Sequence, residues 1–182
     1  MVRSPLPKRR RDSPGAIARP PSAFRFRSVT VDDLALLEAW RREPHVAEWW
    51  DDEAFAADDL CDPRVAMWIV ELDGRPFAFA QDYDVHGWEG HPFAHLPPGS
   101  RGLDQFIGDP AMVGRGYGSA LIAQRMTELF AAGAPCLAVD PHPDNARAIA
   151  AYRKAGFRVA GEPRDTEWGR ILPMKATPRD TS

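Results

Sequence analysis

Residues Val113-Gly114-Arg115-Gly116-Tyr117-Gly118 form a glycine-rich turn between a predicted strand, Arg101 to Ile107, and a predicted helix that starts near Ser119. Glycines let backbone N–H groups converge on a phosphate, and the N-terminus of the next helix adds the positive end of its dipole. The turn has neither the Gly-Lys-Ser/Thr ending of a P-loop nor the spacing of a dinucleotide-binding turn. The sequence therefore predicts an anion-binding cradle that fits neither of these nucleotide motifs.

A second motif lies downstream of the turn, from Asn145 through Tyr152 to Gly156-Phe157. The two motifs together resemble the GNAT acyltransferase superfamily, in which the turn binds the pyrophosphate of coenzyme A. The resemblance implies acetyl-CoA as co-substrate, with its pyrophosphate on the turn from Val113 to Ser119, its pantetheine region beside Asn145, and its departing thiolate protonated by Tyr152. Val113 stands where the family has Gln or Arg, so backbone amides would supply most of the phosphate contacts. Taken singly, Tyr152 also fits a packed core aromatic and Asn145 a helix start.

The rest of the chain alternates predicted strands and helices. The strands are expected at Phe24 to Val29, Met67 to Leu72, Arg75 to Tyr83, Arg101 to Ile107, Cys136 to Val139, Phe157 to Val159 and Ile171 to Met174, with a hairpin turn at Asp73-Gly74. The helices are expected from Asp32 to an interruption at Pro44, irregularly on to Leu60, from Ser119 to Ala132, and from Asp144 to Ala155. This order indicates an α/β (α+β) fold. The resemblance implies a mixed, mostly antiparallel central sheet flanked by helices, with strands that splay apart at the acetyl-CoA site.

The strand before the turn carries an acid that suits amine chemistry. An ammonium group has no lone pair, so acyl transfer to an amine needs a base that removes its proton. Asp104 lies on this strand and would share one face with Phe106, while Leu103, Gln105 and Ile107 share the other. Asp104 is therefore the candidate catalytic base, and the structural alternative is an aspartate that pairs with Arg101 or caps a turn.

Four further stretches narrow the resemblance to aminoglycoside 6′-N-acetyltransferases: Glu48 to Asp51, Ala80 to Tyr83, Gly102 to Gln105 and Val139 to Pro143. In that family the aspartate at the position of Asp104 is the proposed base. The resemblance implies that Asp140, Trp49 and Tyr83 border the acceptor pocket, and Trp88 stands in a loop where related enzymes often have tryptophan. Glu48, Asp51 and Asp82 are further candidates for pairing with ammonium groups of the acceptor. One ring of the Trp49-Trp50 pair fits ordinary core packing equally well.

The charge distribution agrees with a cationic small-molecule acceptor. Residues 1–23 carry six basic side chains and one acid, so the remainder of the chain, whose total net charge is −3, carries −8. Such an acidic body would repel nucleic acid, so no nucleic-acid partner is expected. No apolar stretch is long enough to cross a bilayer. The loop from Asp84 to Ser100 contains three histidines, His86, His91 and His95, but its polarity is the simpler explanation, and no metal is expected.

The predicted organisation is a disordered basic tail at 1–23, an acetyltransferase domain at 24–176 and a C-terminal tail at 177–182. The tail is rich in Pro and Arg and has too few apolar residues to fold. Cys61 and Cys136 are far apart and lack metal-ligand spacing, which indicates a reducing, cytoplasmic setting. A monomer or a homodimer is expected.

Two other functions stay open. The run from Pro141 to Tyr152 also resembles acyltransferases that modify hydroxylysine-type siderophore precursors. A non-catalytic coenzyme-A-binding module is the third interpretation, although such a module needs neither Asp104 nor Tyr152.

Overall fold

The structure is a computed structural model that describes residues 24–50 and 54–181. The strands are β1 (Arg25–Ser28), β2 (Val65–Leu72), β3 (Arg75–Asp84), β4 (Arg101–Ile107), β5 (Leu137–Val139), β6 (Arg158–Val159), β7 (Arg164–Thr166), β8 (Gly169–Ile171) and β9 (Met174–Ala176). The helices are α1 (Leu34–Arg41), α2 (Pro44–Ala47), α3 (Tyr117–Ala131) and α4 (Ala146–Ala155), with 3-10 helices at Val31–Asp33, Asp59–Cys61, Pro110–Met112 and Pro178–Thr181. Residues 1–23 lie outside the described residues, so the predicted tail and domain boundaries stay predictions.

Seven strands form one sheet in the order β1-β2-β3-β4-β5-β9-β6, and β7 and β8 form a separate hairpin. The β4–β5 pair is parallel, and the other pairs in the sheet are antiparallel. The prediction of a mixed, mostly antiparallel sheet flanked by helices is confirmed.

Apolar side chains on the two faces of the sheet build two cores. On one face, Leu121, Ile122 and Met126 of α3 and Ile149 of α4 pack against the sheet. On the other face, Leu37 and Trp40 of α1 pack against Ile69, Phe79 and Phe106. Each helix presents apolar residues at helical spacing to the sheet, so burial of these faces holds the three layers together.

Neighbouring β4 residues divide between these two cores. Leu103 is buried in the α3/α4 core, and Ile107 packs against it. Phe106 is buried in the α1 core. Side chains of a strand alternate between its faces, so Asp104 shares the α1 face with Phe106, as the alternation predicts.

The predicted hairpin turn is confirmed by its backbone. Asp73 and Gly74 have φ values of 51° and 75°. Two consecutive residues with positive φ match the right-handed twist of the flanking strands, and Asp-Gly is a favoured pair at these positions. The turn fixes the register of β2 and β3, in which Leu72 pairs with Arg75.

The start of the first helical segment is stabilised by an ion pair with β1. Arg27 donates from both terminal nitrogens to the two carboxylate oxygens of Asp33, each at 2.7 Å. The N–H of Thr30 also donates to Asp33 at 2.9 Å, so the buried carboxylate closes the turn that precedes α1. The Arg27 guanidinium, opposed by burial and helped by Thr30, lowers the pKa of Asp33 to about 2.

The C-terminal region differs from the prediction. The single strand expected at Ile171 to Met174 is two strands, because β8 ends at Ile171 and β9 begins at Met174. Between them the N–H of Leu172 donates to the carbonyl of Pro141 at 2.8 Å, and Pro173 has no N–H to donate to a ladder. Strand β7 was missed because Arg164-Asp165-Thr166 shows no apolar alternation.

Candidate active site

A cleft of about 590 Å³ opens beside β3, β4 and β5. Its lining contains the acids Glu48, Asp104 and Asp140, the aromatic residues Trp49, Trp50, Tyr83, Trp88, Tyr152 and Trp168, and the polar residues Gln81, His91, Gln105, His142, Asn145 and Arg170. Both predicted catalytic residues, Asp104 and Tyr152, line this cleft, and so do Trp49, Tyr83, Trp88, Asp140 and Glu48 of the predicted acceptor pocket. The chain brings them together from strands, helix α4 and loops that are far apart in sequence.

The cleft forms where two parallel strands separate. The ladder between β4 and β5 consists of two pairs, Arg101 with Leu137 and Gly102 with Ala138. Beyond these pairs β4 continues to Ile107, whereas β5 ends at Val139. The predicted splaying of strands is confirmed, and it leaves Asp104 and Asp140 on opposite sides of the gap.

A glycine beside the gap makes room for an aromatic ring. A side chain at Gly102 would overlap the ring of Tyr83, which faces it across the β3–β4 ladder. Tyr83 is buried, and its ring contacts Trp88 edge-on at 5.6 Å between centroids. Burial, and then the charges of Asp104 and Asp140, raise the pKa of Tyr83. The phenol therefore stays protonated and supplies a wall of the cleft.

Asp104 lies in the middle of β4, directly opposite Gln81 of β3. The side-chain amide of Gln81 donates to Oδ2 of Asp104 at 2.9 Å. Asp104 is only partly buried, so its carboxylate lines the cleft. The hydrogen bond from the Gln81 amide helps to orient a carboxylate that lines the cleft, where a group that accepts a proton from a bound amine has to lie.

Tyr152 projects from α4 into the same cleft and is buried. Burial is the main cause of its raised pKa, and the negative charges of Asp104 and Asp140 add to it. These influences keep the phenol protonated at neutral pH. The ring also packs against Phe157 at 5.6 Å, so the core interpretation of Tyr152 holds for its ring, while its hydroxyl can act as a proton donor.

Asp140 follows β5 immediately and is partly buried. Burial raises the pKa of Asp140 to about 6, and a backbone hydrogen bond counteracts part of that rise. Its carboxylate is therefore charged at neutral pH but close enough to its pKa to respond to the charge of a bound ligand.

Aromatic rings surround the acids. Trp49 lies 5.6 Å from the ring of His142 between centroids. Trp50 instead packs against Phe106 at 4.9 Å and joins the α1 core. Both rings line the cleft, but only Trp50 also packs against the α1 core. His91 is buried beside Tyr83, Trp88 and Trp168, and burial lowers its pKa, which favours the neutral ring.

The predicted cradle lies at the start of α3. Gly114 and Gly116 have φ values of 76° and 83°, in the left-handed region that glycine tolerates. A side chain built at Gly114, Gly116 or Gly118 meets no protein atom within 4 Å, so the backbone of the turn faces open space. Val113 begins the turn, and Arg115, between the first two of its glycines, is exposed. This geometry leaves the first N–H groups of α3 accessible to an anion.

The side chains of two cradle residues make contacts within the protein. The Ser119 hydroxyl is buried and donates to the carbonyl of Gly116 at 3.0 Å, so it stabilises the turn. The Tyr117 ring packs against Phe24 and Phe77 at 6.2 and 5.8 Å between centroids. What Tyr117 can offer a phosphate is therefore its backbone N–H.

Asn145 caps helix α4. Its side-chain oxygen accepts from the N–H of Ala148 at 3.0 Å, which is the helix-start interpretation, and the residue also lines the cleft. Gly156, with a φ of 115°, ends the same helix as predicted.

The suggestion that Asp82 pairs with the acceptor is wrong. Asp82 is buried on the α3 side of the sheet, where it accepts from Trp68, Arg101 and Arg125 at 3.0, 2.7 and 2.7 Å. Because strand residues alternate, Asp82 faces away from the cleft that Gln81 and Tyr83 line. Asp51 lies outside the described residues.

The β7–β8 hairpin adds to the cleft two residues that no sequence pattern predicted there, Trp168 and Arg170. The available sequence signal was the pair Trp168-Gly169, because a glycine there indicates a turn, and Gly169 has a φ of 103°. Gln81 and His142 also line the cleft, and the sequence predicted no role for either side chain.

Two general features of the described residues bear on function. Within residues 24–50 and 54–181, no helix is long and apolar enough to cross a membrane. Over the same residues, no three His, Cys, Asp or Glu side chains lie close enough together to hold a metal ion.

Comparison with known proteins identifies the family. Residues 30–164 match the acetyltransferase (GNAT) domain. The chain is 32% identical over 153 residues to aminoglycoside N(6′)-acetyltransferase type 1 of Klebsiella pneumoniae, covering 75% of this chain and 74% of that protein. It is 26% identical over 174 residues to the lysine N-acyltransferase MbtK of Mycolicibacterium paratuberculosis, covering 86% of this chain and 79% of that protein.

A solved structure agrees with both the fold and the family. Aminoglycoside acetyltransferase AAC(6′)-Ib, in complex with coenzyme A and kanamycin, superimposes with a TM-score of 0.78 at 30% identity, covering 87% of this chain and 96% of that one. The resemblance inferred from the glycine turn and the α4 motif is confirmed, as is the prediction of an enzyme. The chain belongs to the GNAT family of acetyltransferases and is homologous to aminoglycoside 6′-N-acetyltransferases.

Proposed function

We propose that this enzyme transfers the acetyl group of acetyl-CoA to a primary amine of a cationic small molecule, with an aminoglycoside as the favoured acceptor and its 6′-amine as the reacting group. The observation that carries the proposal is the meeting of Asp104, Asp140 and Tyr152 in one cleft at the gap between β4 and β5. A base, an ammonium-binding acid and a proton donor are the groups that amine acetylation needs.

The donor half of the proposal rests on the cradle. We assign the pyrophosphate of coenzyme A to the backbone of residues 113–119, with the α3 dipole and Arg115 stabilising its charge. The pantetheine arm would pass Asn145 and place the thioester in the gap between the strands. In support, AAC(6′)-Ib is known in complex with paromomycin and acetyl-CoA, and with ribostamycin and coenzyme A.

The chemical step is direct transfer within a ternary complex. Asp104 accepts a proton from the ammonium group, directly or through water, and the freed lone pair attacks the thioester carbon. Backbone N–H groups beside the gap stabilise the oxyanion of the tetrahedral intermediate. The C–S bond then breaks, Tyr152 donates its proton to the thiolate, and the proton that leaves the new amide nitrogen restores the phenol.

The acceptor half rests on the chemistry of the cleft walls. Carboxylates of Asp104, Asp140 and Glu48 can pair with ammonium groups, while the rings of Trp49 and Trp88 offer faces for sugar rings and for cations. The Trp88 ring already makes a cation–π contact within the protein, with the Arg64 guanidinium 4.6 Å from the ring centre. The relative from Klebsiella pneumoniae is itself named for acetylation at the 6′ position of aminoglycosides.

A second acceptor class has specific support. The lysine N-acyltransferase MbtK matches 86% of this chain, and the run from Pro141 to Tyr152 resembles acyltransferases of hydroxylysine-type siderophore precursors. In this alternative the fold and the donor site stay the same, and the acceptor is the side-chain amine of a lysine derivative.

The decisive experiment measures release of the coenzyme A thiol from acetyl-CoA with a panel of amines. We expect kanamycin-type aminoglycosides to give the highest kcat/KM, with lysine and hydroxylysine derivatives far behind. The reverse ranking would replace the favoured acceptor by the second class. Coenzyme A binding without thiol release on any amine would contradict the proposed activity altogether and indicate a binding module.

A further inference from the structure

The acceptor cleft contains a cation that a simple polyamine site would not be expected to have. Among the described residues that line the cleft, Arg170 is the only arginine or lysine, and it shares the lining with the acids Glu48, Asp104 and Asp140. Arg170 lies on β8, two residues after Trp168, and the part of the cleft that these two residues line is called its hairpin end here.

The guanidinium of Arg170 is weakly engaged by the protein. Its Nη1 lies 3.7 Å from Oδ1 of Asp165, the residue opposite it in the hairpin. Both side chains are largely exposed, at 55% for Arg170 and 80% for Asp165. A long ion pair between exposed side chains contributes little stability and holds neither group tightly, so Arg170 can turn toward a ligand.

The charge of Arg170 acts differently on different acceptors. An ammonium group at the hairpin end is repelled by the guanidinium, whereas a hydroxyl or a carboxylate there can accept its hydrogen bonds. The acids of the cleft attract the reacting amine in either case. A cation at the hairpin end changes which acceptor binds, because specificity is a difference between two affinities and repulsion contributes to it.

We propose that Arg170 is a specificity-determining residue that selects acceptors with a hydroxyl or carboxylate, rather than an ammonium group, at the hairpin end of the cleft. The proposal rests on the proposed function, because it assumes that amines bind in this cleft. It predicts that among aminoglycosides the enzyme prefers those with fewer amino groups.

The test compares the unmodified chain with Arg170→Gln. Dissociation constants are measured by calorimetry, with coenzyme A bound, for kanamycin A and for kanamycin B, which has an amino group in place of one hydroxyl, and for neomycin, which has more amino groups still. We expect the substitution to strengthen the binding of kanamycin A least and that of neomycin most. For neomycin, the most highly charged probe, the dissociation constant should fall by about three- to tenfold. The gain should shrink at high salt, as it does for exposed charges.

Two further variants separate charge from structure. Arg170→Lys keeps the charge and should keep the original ranking of affinities. Arg75→Gln removes the same charge from the exposed start of β3, at the end of that strand remote from Tyr83, and should change all affinities by less than about twofold. A melting temperature close to that of the unmodified chain shows that Arg170→Gln still folds.

The outcomes for Arg170 and for the proposed function are distinguishable. An equal change for all three probes, or a loss of affinity that grows with their charge, would overturn the role of Arg170. Binding of the probes without any thiol release from acetyl-CoA would contradict the proposed function, while the affinity ranking would still decide the role of Arg170. Absence of probe binding to every variant would overturn both.

Discussion

At the scale of single residues, three aspartates on or beside the sheet differ in what surrounds them. Asp33 accepts two hydrogen bonds from Arg27, and Asp82 accepts from Arg101 and Arg125. Asp104 accepts from the neutral amide of Gln81 and lines the cleft. Asp33 and Asp82 are buried in ion pairs that hold the sheet and its helices together, so neither carboxylate is presented to the cleft. The position of Asp104 in the cleft lining, where it can reach an amine, supports it as the base.

Substitution Asp104→Asn tests that role. The variant keeps the size and the hydrogen-bonding ability of the side chain but removes the site that accepts a proton. We expect kcat to fall by about 10²- to 10⁴-fold at unchanged affinity for coenzyme A, as is typical for loss of a general base. Steady-state kinetics and calorimetry of coenzyme A binding provide the two measurements.

A matched control is Asp73→Asn in the β2–β3 turn. The φ of 51° at this position suits asparagine as well as aspartate, so the fold should not change. Near-normal turnover in Asp73→Asn shows that loss of one acid is not itself harmful. Near-normal turnover in Asp104→Asn would show that another group removes the proton.

At the scale of elements, helix α3 has a left-handed glycine near each end. Gly116 precedes its first turn with a φ of 83°, and Gly133 follows its last turn with a φ of 98°. A side chain at either position meets no protein atom within 4 Å. The two glycines therefore carry the same backbone requirement, but only Gly116 belongs to the predicted cradle.

The variants Gly116→Ala and Gly133→Ala separate stability from cofactor binding. Each should cost about 1–2 kcal/mol of unfolding free energy, because an L-residue is strained at positive φ. Only Gly116→Ala should weaken coenzyme A binding, by about tenfold or more, since its methyl group intrudes where the phosphate would approach. Denaturant unfolding and calorimetry measure the two effects. An equal loss of coenzyme A affinity in both variants would place the pyrophosphate elsewhere.

At the scale of the whole molecule, Asp140 links function to stability. Its pKa in the fold, about 6, lies above the value of 3.8 for an unperturbed aspartate. Between these values the folded chain holds a proton that the unfolded chain has released, so stability falls as pH rises from about 4 to about 6. Above that window the charged, partly buried carboxylate costs roughly 1–3 kcal/mol. The proposed function explains the cost, because that charge is what would bind an ammonium group.

Substitution Asp140→Asn should remove this cost and the charge together. Relative to the unmodified chain, we expect the variant to be more stable at pH 7.5 by roughly 1–3 kcal/mol, to gain much less at pH 4.5, and to bind cationic acceptors more weakly. Thermal melts at the two pH values, with acceptor titrations at pH 7.5, measure this. A stability change that is the same at both pH values would contradict the raised pKa of Asp140.

Local patterns in the sequence predicted the parts of the fold that neighbouring residues encode. Asp73-Gly74 predicted a hairpin because both positions tolerate positive φ, and Gly156 predicted the end of α4 for the same reason. The glycine turn before α3 and the motif in α4 predicted the family, which the comparisons confirm. Position on a strand also predicted that Asp104 and Phe106 share a face.

The tertiary structure decided which of these residues meet. Only the register of β3 against β4 puts Gln81 opposite Asp104 and turns Asp82 toward Arg125 on the other face. The short pairing of β4 with β5 opens the gap, and the β7–β8 hairpin brings Trp168 and Arg170 to a cleft that the sequence did not connect with them. Helix caps and turns depend on residues next to each other in the chain, so sequence alone determines them. A cleft depends on strand pairing across distant segments, where the burial of two whole sheet faces, rather than any local pattern, selects the arrangement.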